Sequence, residues 1–272
     1  RRRFRHRTAA VHFDLRSAYQ GLELRWPIHR PALSSNPNDR GIHKVARRRG
    51  KLLGIVLVLL VLGGLAAGAW LFAARWAPSR AQYPVQGVYL DTHEERATWP
   101  TMKATGVDFA YLLATIGSDG RDQDFQRRLA EAKAAGVRVG AVHRFDLCRL
   151  AGDQAGNFIT NVPRGRDMLP PVIEMRFLDS CKDRPGRALV LSEIAALIAQ
   201  IENHSGKPAV IKLGKDFEAM YDISTAVNRT VWLQRDFFPP DYAARPFVMW
   251  TANEKRDVEG LEGPGNWVVV QP

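Results

Sequence analysis

Charge is missing altogether from Leu52 to Ala74, LLGIVLVLLVLGGLAAGAWLFAA, 23 consecutive residues of this 272-residue chain. A helix of that length measures about 34 Å, enough to cross a hydrocarbon core of about 30 Å. Buried core helices are usually shorter and amphipathic, and a signal-peptide core is far shorter, so the run predicts a single transmembrane helix. Acid is almost as scarce upstream: residues 1–51 carry three Asp and Glu against 14 Lys and Arg. The whole net charge of +11 therefore sits in that segment, and residues 52–272 balance at 25 of each sign. A large domain with no basic excess gives no footprint for nucleic acid. Cysteine is scarce too, with only Cys148 and Cys181, too few ligands for a metal centre. No phosphate-cradling glycine loop occurs either, so no metal and no cofactor is expected.

The flanks of the apolar run set its orientation. Arg40, Lys44, Arg47, Arg48, Arg49 and Lys51 precede it, whereas only Arg75 and Arg80 follow closely. Basic residues stay on the cytoplasmic side, which places the N-terminus inside and everything after Trp76 outside a bacterial cytoplasmic membrane. An even cysteine pair on that oxidising side favours a Cys148–Cys181 disulfide over two free thiols. Residues 1–51 read as a basic cytoplasmic segment without sustained periodicity, expected to be disordered. The chain opens RRRFRHR and its first methionine is Met102, so its natural start is expected upstream. Residues 75–82 read as a linker and 83–272 as a folded domain.

Within that domain short apolar runs alternate with helical ones. Strands are expected at 85–90, 107–114, 137–145, 172–177, 209–213, 231–234, 247–251 and 267–270. Helices are expected at 99–104, 125–135, 155–162, 189–203 and 216–221, with Gly136 and Gly206 as left-handed stops. Repeated strand–helix–strand order predicts the α/β class and a parallel sheet. Eight strands in so short a span suggest a compact TIM-like (β/α) barrel, with chemistry at the C-terminal strand ends.

Several short pieces occur in a telling order: Gly87-Val88, Trp99-Pro100, Gly106 to Tyr111, Ala114-Thr115, Gly117, Asp122 with Phe125 and Ala132 to Gly136. Gly140-Ala141 with His143, Leu169-Pro170-Pro171-Val172, Gly206-Lys207-Pro208, Trp232, Trp250 and Gly263-Pro264 follow. In that order and spacing, residues 82–272 resemble glycoside hydrolase family 25, the Chalaropsis-type lysozymes. The resemblance implies a β/α barrel that cleaves the β-1,4 bond between N-acetylmuramic acid and N-acetylglucosamine in peptidoglycan glycan strands.

The family's acids are not all matched. Its first-strand Asp falls on Tyr89. Its P-P-V-x-D-x-E becomes Pro170 to Arg176, so Glu174 keeps an acid while Arg176 occupies the proton donor's place. The C-terminal Asp falls on Asn266, a groove tyrosine on Lys212, and Leu113 and Ile116 stand where charged residues are expected. His143 and Trp250 are implied as further groove residues, with a hydrogen-bonded structural histidine and a core tryptophan as the alternatives. Glycosidic cleavage needs a proton donor and a second group at the anomeric centre, and an arginine gives up no proton near neutral pH. Glu174 and Asp91 could serve as displaced catalytic acids, with Asp146 or Asp179 in reserve; otherwise Arg176 should form a salt bridge with Glu174 or Asp179. Three functions follow: a membrane-tethered module that meets peptidoglycan with little or no hydrolysis, an active muramidase with displaced acids, or a protein-interaction scaffold on the same barrel.

Overall fold

The computed structural model of the chain describes residues 39–91 and 96–272, with side chains from Leu53 onward. Residues 1–38, most of the segment expected to be disordered, lie outside the described residues. Helix α1 runs Asp39–Arg75, 37 residues. It starts well before the apolar run, because no proline intervenes between Pro37 and Pro78 to interrupt the hydrogen-bond ladder. The basic residues of 39–51 are therefore helical, which corrects the expectation of disorder there. Along Leu53–Arg75 the helix is long and apolar enough to cross a membrane. Its side chains stand out all round, Leu53 71% and Phe72 67% exposed.

Eight strands then close a barrel. β1 (Gln86–Leu90), β2 (Phe109–Ile116), β4 (Arg138–Arg144), β5 (Val172–Met175), β6 (Val210–Leu213), β7 (Thr230–Gln234) and β8 (Met249–Asp257) run parallel in that spatial order. β9 (Pro264–Val270) pairs antiparallel with both β8 and β1 and closes the ring. β3 (Gly120–Arg121) is a short hairpin arm on β2. The packing helices are α2 (Trp99–Ala104), α3 (Phe125–Ala134), α4 (Ala151–Asn161), α5 (Arg187–Ser205), α6 (Lys215–Tyr221) and the single turn α7 (Ile223–Ala226). All eight expected strands are present, and Gly136 and Gly206 take left-handed φ of 74° and 67°. The wholly parallel sheet is not. Only six residues link β8 to β9, among them Gly260 and Gly263 at positive φ, and so short a link makes a hairpin, whereas a parallel return needs a long crossover.

Alternation along each strand divides the core in two. The barrel interior holds Tyr89, Phe109, Tyr111, Leu113, Val142, Val172, Val210, Trp232, Met249 and Val268. The opposite faces pack under the helices, where Ile194, Leu197, Ile198 and Ile201 of α5 form the stripe visible in the sequence. Tyr111 illustrates how tightly the interior is filled: a Cβ on Gly140 of the adjoining strand would meet its ring at 2.2 Å.

Residues 75–82, expected as a plain linker, are fastened to the barrel. The Asn253 side chain on β8 donates to the carbonyls of Ala73 at 2.8 Å and Trp76 at 3.1 Å. Ala73 lies in the last turn of α1, where carbonyls lack a full set of intrahelical partners and take outside donors; its oxygen also accepts from the Trp76 N–H at 3.4 Å. Trp76 packs edge-on against Phe237 and Trp250, with ring centroids 5.2 and 6.4 Å apart. Arg80 donates to the Gly106 carbonyl and pairs with Asp108 at 3.0 Å.

Candidate functional site

Register sets the floor of the barrel mouth. Arg144, Glu174 and Lys212 are direct partners across β4, β5 and β6, one inward step beyond Val142, Val172 and Val210. Neighbouring strands lie about 4.8 Å apart, so these three side chains must meet. Glu174 is 1% exposed. One of its oxygens accepts from Lys212 Nζ at 2.5 Å, and the other accepts from Arg144 Nε at 2.6 Å and from the Tyr89 hydroxyl at 2.9 Å. Arg144 also donates to the Tyr89 oxygen at 3.2 Å and reaches Asp91, just past β1, at 3.5 Å. A single guanidinium thus bridges both acids expected as a displaced catalytic pair.

The electrostatics follow from that contact set. Burial by itself pushes the Glu174 carboxyl up, but the charges and hydrogen bonds of Lys212 and Arg144 outweigh it and hold the carboxyl down at about 2. Burial, then the charge of Glu174, push the Tyr89 phenol well above its ordinary value. At neutral pH Glu174 is an ionised acceptor and Tyr89 a neutral donor. A general acid must release a proton near the working pH, and Glu174 has none to release.

Above this floor a cavity of about 340 Å³ opens, walled by Arg176, Phe177, Lys215, Asp216, Gln234 and Glu254. Lys212 donates to Gln234 at 3.1 Å, and the Gln234 amide donates to Glu254. Arg176 is exposed on the wall, just beyond the end of β5. It forms neither expected salt bridge: Glu174 is taken by Lys212 and Arg144, and Asp179 lies 3.7 Å from Lys182. Asn266 reaches the mouth as the register partner of Tyr89, with its amide donating to the Tyr89 carbonyl at 3.2 Å. The Cys148–Cys181 disulfide is formed, Cα atoms 5.8 Å apart, and joins the loops that follow β4 and β5.

Two expected groove residues face the other way. His143 lies between Val142 and Arg144, both inward, so its ring points out toward α4. It contacts Thr115 Oγ1 at 2.8 Å and Gln154 Oε1 at 3.3 Å, and burial pushes it down to about 4. Trp250 follows Met249, which faces inward, and is buried on the outer side against Tyr83 and Trp76. Its indole nitrogen donates to the Arg235 carbonyl at 2.7 Å. Trp232 does face the interior, but it is fully buried and donates to Thr251 Oγ1. Arg144, Gln234 and Glu254 were missing from the expected set. Strand alternation from Val142 is a sufficient signal for Arg144. Glu254 had none, because it depends on β8 continuing past Thr251 along its hairpin with β9.

A family model described as Glycosyl hydrolases family 25 matches residues 89–260. The chain belongs to that family. Among its relatives, Lysozyme M1 of Streptomyces globisporus is 34% identical over 59 residues, 22% of this chain and 20% of that protein; the aligned stretch thus spans a fifth of that relative's length. A family 25 glycosyl hydrolase from Bacillus anthracis superposes with a TM-score of 0.66 at 25% identity, covering 72% of this chain and 92% of its own. The bacterial lysozyme from Streptomyces coelicolor shares the fold with a TM-score of 0.62 at 20% identity, over 69% of this chain and 92% of its own. So does a family 25 lysozyme from Aspergillus fumigatus, with a TM-score of 0.61 at 15% identity, over 69% and 94%. At three positions where the sequence pattern expects acids, this family 25 barrel carries a phenol locked to Glu174, an exposed guanidinium on the cavity wall and the Asn266 amide bonded to the Tyr89 carbonyl.

Proposed function

We propose that this chain is a membrane-tethered family 25 module that meets peptidoglycan glycan strands at its barrel mouth without hydrolysing them. The single observation behind the loss of hydrolysis is the state of Glu174. The acid retained from the family pattern is buried between two cations and a phenol, and it holds no proton at neutral pH. Arg176 at the donor's place would also oppose the positive charge that develops on the sugar ring during cleavage. The glycan assignment is supported by the family and by relatives named as lysozymes. The tether is supported by Leu53–Arg75 and the basic residues before it, and an outer location by the disulfide.

The test uses the full chain in mild detergent with purified sacculi. Retention on the sacculi without new reducing ends is the expected result. New reducing ends that disappear in Glu254→Gln or Glu174→Gln would establish an active muramidase and overturn the proposal. No retention even at low salt would leave the scaffold reading.

A further inference from the structure

A second cavity lies where α1 ends. It measures about 550 Å³ and is lined by Arg75, Thr105, Arg256, Asp257, Glu259 and Trp267 among others. Arg256 is half-buried on its wall, its guanidinium carbon 3.7 Å from the centre of the Trp267 ring. That contact supplies no acceptor: Nε and Nη1 of Arg256 are buried without a hydrogen-bond partner. Burial, then the like charge of Arg80, push the Arg256 pKa down, against a smaller opposing pull from Asp257. The neighbouring charges are engaged elsewhere. Asp257 is nearest Arg75, at 3.9 Å, and Arg80 is held by Asp108 and two backbone carbonyls.

A guanidinium offers five donors in a planar fork suited to two oxygens of one phosphate. Nε and Nη1 are closed to solvent as they stand, so a ligand in the cavity meets them only if the guanidinium turns on the Trp267 ring, and meeting them recovers the free energy that unmade buried donors cost. Asp257 and Glu259 on the same cavity would repel a ligand carrying only negative charge, but would accept one with an ammonium beside its phosphate. We infer that this cavity binds the headgroup of an amine-bearing zwitterionic phospholipid, with the phosphate diester at Arg256 and Arg75 and the ammonium at Glu259 and Asp257. The inference rests on the membrane placement proposed above. A helix over Leu53–Arg75 would be about 34 Å long and would bring Arg75, on the cavity wall, out at headgroup depth.

The experiment takes the full chain in mild detergent and counts bound lipid by native mass spectrometry. Phosphatidylethanolamine and phosphatidylglycerol are offered in equal amounts, with inorganic phosphate as a third arm. Wild type should retain phosphatidylethanolamine in preference. Arg256→Gln should lower that retention about tenfold or more, as expected for a lost charge-assisted contact. Glu259→Lys, an exposed position, should turn the preference toward phosphatidylglycerol, which keeps the inference testable even if the Arg256 variant folds badly. Equal retention by all three proteins overturns the site. Saturation by inorganic phosphate with no lipid retained replaces it with a soluble-anion site and also overturns it. Alkaline carbonate extraction separates the two readings. A chain that stays in the membrane yet keeps no lipid removes the headgroup site alone; a chain that is washed off removes the membrane placement and the site with it.

Discussion

At the barrel mouth Lys212 and Arg144 each end on an oxygen of Glu174, whereas beside the end of α1 the Nε and Nη1 atoms of Arg256 end on no acceptor. Both hollows are lined by cations and carboxylates in similar proportion, yet the buried cations of the first meet acceptors within the fold, whereas the buried donors of the second do not. The mouth is therefore braced: Glu174 and Asp91 together balance Lys212 and Arg144, and Glu174 is left with no proton to give. The second hollow is incomplete as it stands, and what it lacks has the chemistry of an anion. Cations of one kind act as internal struts in the first place and as open contacts in the second.

The largest effect should come from removing the strut. Glu174→Gln leaves Lys212 and Arg144 buried side by side, and breaking a buried pair from one side costs about 3–5 kcal/mol. Denaturant unfolding of the full chain should show that loss, and a change under about 1 kcal/mol would erase the contrast between the hollows. Next comes the covalent brace between the loops after β4 and β5. Cys148 and Cys181 are 33 residues apart, so Cys148→Ser with Cys181→Ser should cost about 3–4 kcal/mol, read as a lowered unfolding midpoint.

Acid should weaken the barrel in two stages. The native His143 imidazole protonates only near about 4, whereas the unfolded residue does so near about 6.5. Between those values the unfolded chain binds the extra proton, so stability falls as pH falls, by on the order of 3 kcal/mol. Glu174, held at about 2, then extends the decline below its ordinary value of about 4.5, because the stability it contributes exists only while the native carboxyl stays ionised. His143→Gln should flatten the upper stage and leave the lower one, checked by unfolding midpoints across pH 3–8. The smallest effect is expected at Arg256→Gln in lipid-free detergent. With no hydrogen bond at Nε or Nη1 to lose, only the contact with the Trp267 ring goes, and stability should fall by about 1 kcal/mol; a loss as large as that at Glu174 would make Arg256 a strut as well.

Most of the barrel was legible in the chain, because eight apolar runs separated by helical stripes and glycine stops leave few ways to arrange the strands. Which strand ends meet was legible too, since Tyr89, Glu174, Arg176, Lys212 and Asn266 all come to the mouth. Facing was harder to read. His143 and Trp250 were placed by motif, but the inward row on β4 is Val142 and Arg144 and on β8 it begins at Met249, which turns both residues outward. Partnership was hidden altogether: Arg176 looked like the natural mate of Glu174, and only the register of three adjoining strands puts Arg144 and Lys212 nearer. β9 reversed direction because of a six-residue link whose consequence the apolar pattern alone does not carry. Arg256 left no trace in sequence, since an unmet donor is a property of its surroundings.

Asn253 donates to the carbonyls of Ala73, in the last turn of α1, and of Trp76, just past it, and with Trp76 packed against Phe237 and Trp250 it ties the junction to the barrel. In the membrane placement proposed here, the barrel would be carried on a neck and not on a leash. Its distance from the lipid would then be nearly constant, and the murein it could touch would be confined to one thin layer above the bilayer. Lengthening the junction ahead of Trp76 would widen that layer, at the expense of the aim that a stiff mount provides.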